Sequence, residues 1–274
     1  MSQPTTPLSF QAVDGLAFAA AAGHGEAVRA GALYVPRDLG PLLELLHLEV
    51  AGGVPEAPRG KSWLASNRAS SLLAALKEQR ESWIKPDDRR MGFIRTARSG
   101  PDGDHRLVSF LMDAQRAGMN IARLPGSTPA QMAAAMEELE NNIHEHSEAA
   151  ATGLLAFRAA PGVFEFVAAD RGIGVLASLR HSPLFVRLSD HGKALRATLT
   201  EGTSRFGPGS GHGYGFRPIF TGLANLRGFL RFRSGDHALT IDGTSPDVAS
   251  AQLAQKPAID GFFASIRCHA PHRH

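Results

Sequence analysis

Two stretches of this chain combine reactive residue types with a spacing that could do chemistry: Glu138-Leu139-Glu140-Asn141-Asn142-Ile143-His144-Glu145-His146 and Asp170-Arg171-Gly172-Ile173-Gly174. Asp170 ends an apolar run, Val163 to Ala169, and Gly-x-Gly follows one residue later. A carboxylate at a strand end accepts a hydrogen bond from a ligand amine. Two glycines let backbone pass close to a flat ligand with no Cβ in the way. The same pentapeptide also reads as a tight turn after a strand. In the upstream stretch Glu138, Asn142 and His146 fall four apart and share one helical stripe. Met132, Met136, Leu139 and Ile143 form a second stripe, which suits a core. His144 and His146 are two apart, so a helix gives them no common face on which to chelate an ion.

A third stretch lies downstream, Gly207-Pro208-Gly209-Ser210-Gly211-His212-Gly213-Tyr214-Gly215-Phe216. In order and spacing, the three together resemble the GHKL ATPase superfamily of gyrase, heat-shock chaperone, histidine kinase and mismatch-repair ATPases. Glu138, Asn142 and His146 match its N box, E-x-x-x-N-x-x-x-H. Asp170, Gly172 and Gly174 match its first glycine box, and Gly211, Gly213 and Gly215 its second. The resemblance covers roughly residues 105 to 245.

The resemblance implies ATP as ligand and Mg²⁺ as cofactor. Asp170 would accept from the adenine exocyclic amine, and Gly172 and Gly174 would let the base approach the backbone. Asn142 would ligate Mg²⁺ through its amide oxygen; this hard cation keeps several waters and takes few protein groups. A locally bonded Asn on a helix surface is the other reading. His146 would have a supporting or packing role. The amides of Gly211, His212, Gly213, Tyr214 and Gly215, opening a helix, would cradle phosphates with help from the helix dipole. Tyr214 replaces a leucine common in the kinases, with no loss expected where backbone does the work. Arg205, beside Thr203 and Ser204, is either a γ-phosphate contact or a solvated side chain. Glu138 holds the position that orients and deprotonates the attacking water in the hydrolysing branches. An exposed helical Glu is the alternative there.

These residues need elements to position them. Residues 1 to 10 are polar and read as disordered. A Leu-rich helix enters through Asp38 and ends at Gly52-Gly53. Another runs from about Ser62 to Ile84, on Trp63, Leu72, Leu73, Leu76 and Trp83, with Pro86 as its stop. Met91 to Ala97 suits a short strand. The charged, turn-rich stretch 86 to 104 reads as a boundary between an N-terminal region, 1–100, mainly helical, and an ATP-binding domain, 101–274. The second part begins with helices at about His105 to Ala117 and from Ser127 or Thr128, with Pro129 in the first turn. A hairpin follows, 153 to 159 with 163 to 169 around Ala160-Pro161-Gly162. Helices at about 190–200 and 214–226 and a hairpin around Ser234-Gly235-Asp236 complete it. Leu176 to Gly211, between the two glycine boxes, is expected to act as a lid. The order predicts an α+β fold, a two-layer α/β sandwich with antiparallel strands. The resemblance implies the same architecture, the Bergerat fold.

Composition sets the remaining bounds. With 43% hydrophobic residues, the 274-residue chain can bury a sizeable core. Net charge is only +3, with both signs interspersed, so nucleic acid is not indicated as a partner. Cys268 is the only cysteine, so no intrachain disulfide forms, which suits a reducing compartment. No run is long enough to span a bilayer, and the expectation is a cytoplasmic protein without membrane partner.

The chain departs from the sensor kinases. His47 sits in His-Leu-Glu-Val and His105 in His-Arg-Leu-Val, neither being the H-E-x-R-like phosphoacceptor. The N-terminal helices carry no heptad seam. No transducer domain fits after the second glycine box. The resemblance is then nearest to stand-alone bacterial anti-sigma-factor serine kinases. The expected function is a Mg-ATP-binding regulator that phosphorylates or switches a protein partner. The alternatives are a slow ATPase driving a conformational or assembly cycle, and a nucleotide-binding interaction module without catalysis.

Overall fold

The computed structural model describes residues 5–26, 33–55, 67–96, 101–199, 228–242 and 251–271. Arg205, Gly211, His212, Gly213, Tyr214, Gly215 and the helix expected at 214–226 lie outside the described residues. The described elements are β1 (Thr5–Leu8), α1 (Phe10–Ala21), β2 (Leu33–Pro36), α2 (Leu39–Val50), α3 (Asn67–Lys77), β3 (Ser82–Ile84), β4 (Met91–Arg95), α4 (Pro101–Asn120), α5 (Thr128–His146), β5 (Leu154–Ala160), β6 (Val163–Asp170), α6 (Gly174–Arg180), α7 (His191–Ala197), β7 (Phe229–Asp242) and β8 (Gln252–His269). The molecule is α+β. Six strands form one antiparallel sheet in the order β3-β4-β5-β6-β8-β7, and β1 and β2 form a small parallel pair.

Both faces of the sheet are buried, and side-chain alternation shows how. Along β5 and β6, Phe157, Phe164 and Phe166 join the core built with α4 to α7. Their neighbours Ala156, Val167 and Ala169 join a second core with α1, α2 and α3. Helices therefore lie on both sides of the sheet, which gives three layers where the element order predicted two. The sheet also draws β3 and β4 from before residue 100.

Local chemistry explains the boundaries. Ser9 caps α1, its hydroxyl accepting from the Ala12 N–H at 3.2 Å. Pro129 occupies the first turn of α5, where a missing N–H costs nothing. The long helix expected to reach Ile84 instead ends at Lys77. Gln79 adopts φ 54, which breaks the helix, and Trp83 and Ile84 become strand residues opposite Phe93 and Gly92. Their apolar side chains satisfy sheet spacing better than a further helical turn, with Trp83 stacked on Phe93 at 6.4 Å. The hairpin expected around Ser234-Gly235-Asp236 is one continuous strand, β7. Gly235 takes φ 57 and makes a bulge, and the antiparallel partner is the next strand, β8. Residues 5–8, expected to be disordered, pair with β2.

Charge ties the N-terminal layer to the sheet. Glu44 of α2 is fully buried and receives Arg231 Nε at 2.7 Å, Arg231 Nη2 at 2.8 Å and Arg233 Nη1 at 2.5 Å. Arg231 also reaches Asp14 of α1, and Arg233 donates to the Pro257 carbonyl. Two buried guanidiniums on the edge strand β7 thus share one carboxylate from the helical layer.

Candidate functional site

β6 runs through the middle of the sheet, between β5 and β8, and Asp170 is its last residue. The alternation along β6 puts Asp170 on the face covered by α4 to α7. Its side chain is 1% exposed. Oδ1 accepts the Gly172 N–H at 2.6 Å. Oδ2 is buried with no hydrogen-bond partner among the described residues. Burial pushes the Asp170 carboxyl up to about 7, against the opposing pull of the Gly172 amide. A buried acceptor with one lone-pair-bearing oxygen still open is able to receive a donor from a ligand.

The chain after Asp170 is pinned at Arg171, Ile173 and Val175. Arg171 N–H donates to Thr152 Oγ1 at 2.9 Å, and Ile173 N–H to the Ser147 carbonyl at 2.9 Å. Val175 N–H donates to Ser234 Oγ at 2.9 Å, and that hydroxyl donates to the Gly261 carbonyl at 2.7 Å. A Cβ on Gly172 would sit 1.9 Å from the Ser147 carbonyl oxygen. Gly174 has φ 74 and lies against Ser234 and Gly261. The two glycines thus let the turn close on the end of α5 and on the β7–β8 pair.

Gly261, Ser234, Ser147 and Thr152 complete this turn and were missed by the sequence reading. Gly261 has φ 67, and a Cβ there would meet the Asp170 carbonyl oxygen at 2.1 Å. It falls where the β7–β8 register shifts, Ser234 facing Phe262 and Gly235 facing Ile259. A glycine inside an apolar run, as in Ile259-Asp260-Gly261-Phe262, was the available signal for a bulge.

α5 packs on β6 with Met132, Met136, Leu139 and Ile143 buried, as the stripe predicted. Glu138, Asn142 and His146 lie along the other stripe, each half-buried. Ser147 ends this helix and carries the bond to Ile173, so His146 is one residue from the Asp170 turn and Asn142 one helical turn further back. Asn142 Nδ2 is buried with no hydrogen-bond partner among the described residues. Amide oxygen and nitrogen exchange places by a simple flip, which would turn an oxygen toward the same spot. Burial raises the Glu138 carboxyl, and the neighbouring charges of Glu145 and Glu137 add to the rise. His146 Nε2 lies 3.9 Å from Glu145 Oε2. His144, expected at the surface, is partly covered, with Nε2 3.1 Å from the buried Glu140 carboxylate.

Among the described residues no three His, Cys, Asp or Glu side chains cluster as a metal site. The donors on α5 are instead one amide and one carboxylate, a set that fits a water-rich Mg²⁺ better than a soft metal. Cys268 is no nucleophile: it is buried in β8, its thiol is pushed up to about 12 by burial, and Sγ lies 3.5 Å from Met132 Sδ. Among the described residues no helix is long and apolar enough to cross a membrane.

In the segment expected to act as a lid, α6 and α7 are packed, Leu195 being fully buried against the core, while Leu184 and Val186 between them are exposed. No protein-family model, curated protein or solved structure matches this chain. The described residues define its class by geometry alone: an α+β protein with a six-stranded antiparallel sheet.

Proposed function

We propose that this chain is a Mg-ATP-binding regulatory protein of the histidine-kinase-like ATPase class, on a Bergerat-type fold, which phosphorylates or switches a protein partner in the cytoplasm. The observation that carries the reading is Asp170, a buried carboxyl with one oxygen committed to Gly172 and the other lacking a donor among the described residues. The adenine exocyclic amine is a donor of the right kind. Asn142 would hold Mg²⁺ through its amide oxygen, and the ion would supply charge neutralisation at the polyphosphate. Arg205 and the amides of Gly211, His212, Gly213, Tyr214 and Gly215 keep their phosphate-binding roles in this reading. His146, the last residue of α5, would support the turn.

Calorimetric titration of Mg-ATP tests it. Asp170→Asn is expected to weaken binding by about 1–3 kcal/mol, the range for losing a charge-assisted hydrogen bond. Equal affinity in a folded variant removes the adenine assignment.

A second reading, slow hydrolysis, is favoured by Glu138, one helical turn before Asn142, whose carboxyl burial raises in the direction that strengthens it as a base. Incubation with ATP separates the readings. Phosphate release that disappears in Glu138→Gln marks an ATPase, a labelled protein partner marks a kinase, and neither marks a binding module.

A further inference from the structure

A cavity lies on the opposite face of the sheet from Asp170, between α2, α3 and the strands, with a volume of about 440 Å³. Its floor is Val167, Ala169 and Phe263, and its walls are leucines of α2 and α3, among them Leu43 and Leu73. This cavity falls in the range of about 300–1,000 Å³ typical of small-molecule sites.

Its polar groups are unevenly charged. Among the described residues, Lys77, Arg95 and Arg171 line it together with one carboxylate, Glu49. Among the described residues, the Arg95 side chain donates to the Arg80 carbonyl, at 3.2 Å, and the Arg171 side chain has no ion-pair partner. Burial lowers the Arg95 guanidinium from its ordinary value, and the charge of Arg171 lowers it further. Arg171 is exposed and Arg95 half-buried, so the two guanidiniums sit at the mouth of an apolar chamber with no ion-pair partner among the described residues. Their forked donors match a carboxylate or a phosphate monoester in two-point geometry. His47, at the same wall, is no competing cation: burial lowers its imidazole, and Nε2 lies 3.2 Å from the Asp260 carbonyl oxygen.

We infer that this cavity binds a small amphipathic anion, with its apolar chain or ring in the leucine-walled chamber and its carboxylate or phosphate between Arg95 and Arg171. The site is separate from the nucleotide proposal, since Arg171 and Asp170 are consecutive and face opposite sides of the sheet.

Calorimetry on the full chain tests it with decanoate and decyl phosphate, each below its micelle concentration, against decanol and acetate. Saturable one-to-one binding of at least one decyl anion is expected. Decanol should bind at least tenfold more weakly, and acetate should not register. The stronger of the two anions names the headgroup. Arg171→Gln, at a side chain with no hydrogen bond or ion pair among the described residues, should weaken the anion at least tenfold at unchanged melting temperature. Leu73→Trp should fill the chamber and abolish binding of the anion and of decanol alike. Absence of saturable binding by either anion overturns the inference, as does decanol binding as tightly as the anions. Wild-type affinity in both folded variants overturns it too.

Discussion

Asp170 places a cost on the fold that its removal should reveal. Its carboxyl titrates at about 7 when folded, against an ordinary 3.8. Between those values the folded chain holds a proton that the unfolded chain has released, so stability falls as pH rises from about 4 to about 7 and is flat above. In Asp170→Asn the amide oxygen can still accept from Gly172, and the amide nitrogen takes the place of the open oxygen. We expect the variant to exceed the wild type in stability at pH 8 by about 2–4 kcal/mol and to match it near pH 4. Urea unfolding at both values checks this. Glu165, also pushed up to about 7 by burial, adds the same slope to both proteins, so only the difference is read. A residue whose loss stabilises the fold while weakening ATP is held for binding. At the same scale, neither His47 nor His105 carries the phosphoacceptor motif. His47 is held beneath Phe263 and next to the Asp260 carbonyl. His105 is exposed on α4 with Asp104 before it and no following acid. Incubation with labelled ATP should leave no acid-labile, base-stable phosphate on either.

At the scale of elements, α5 and the β7–β8 bulge do the positioning. α5 presents core residues to β6 on one stripe and Glu138, Asn142 and His146 on the other. Asn142→Ala should abolish the tightening of ATP binding by Mg²⁺ and leave adenosine binding unchanged; titrations with and without the ion check it. The bulge brings Gly261 under Asp170, at a φ that L side chains avoid and with no room for a Cβ. Gly261→Ala should cost about 2–4 kcal/mol, combining backbone strain with displacement of the strand end. Chemical denaturation measures that cost, and adenosine binding should fall with it. Ser234→Ala is a gentler probe, since it frees one amide and one carbonyl without adding volume.

For the whole molecule, the sheet needs the N-terminal layer. Glu44 is the shared counterion of Arg231 and Arg233, all three nearly or fully buried. Removing one member of such a network leaves uncompensated charge in a low dielectric. Glu44→Ala is therefore expected to lose about 3–5 kcal/mol, measured by urea unfolding, with no direct effect on residues around Asp170. A second consequence is that Ala156, Val167 and Phe263, one face of the central strands, depend on α1 to α3 for cover.

Local patterns were legible in the sequence because they depend on neighbours in the chain. The two stripes of α5, its proline-bearing start, the Asp38 entry to α2 and the β5–β6 hairpin follow from 3.6- and 2-residue periods and from turn chemistry. So does the acidic end of β6 with its two glycines. What local patterns could not convey is which distant segment fills a space or supplies a charge. Trp83 reads equally as the last turn of a helix or as a strand until Phe93 lies beside it. Ser234-Gly235-Asp236 reads as a turn until β8 arrives with Gly261 to make it a bulge. Glu44 looks like one polar residue in a leucine helix until two arginines from β7, nearly two hundred residues on, converge on it. Asp170's ordinary carboxylate becomes a group titrating near 7 only because the surrounding strands and helices remove its water. Periodicity and turn propensity are properties of a segment, whereas burial, bulge geometry and charge pairing belong to contacts that exist only once the chain has folded back on itself.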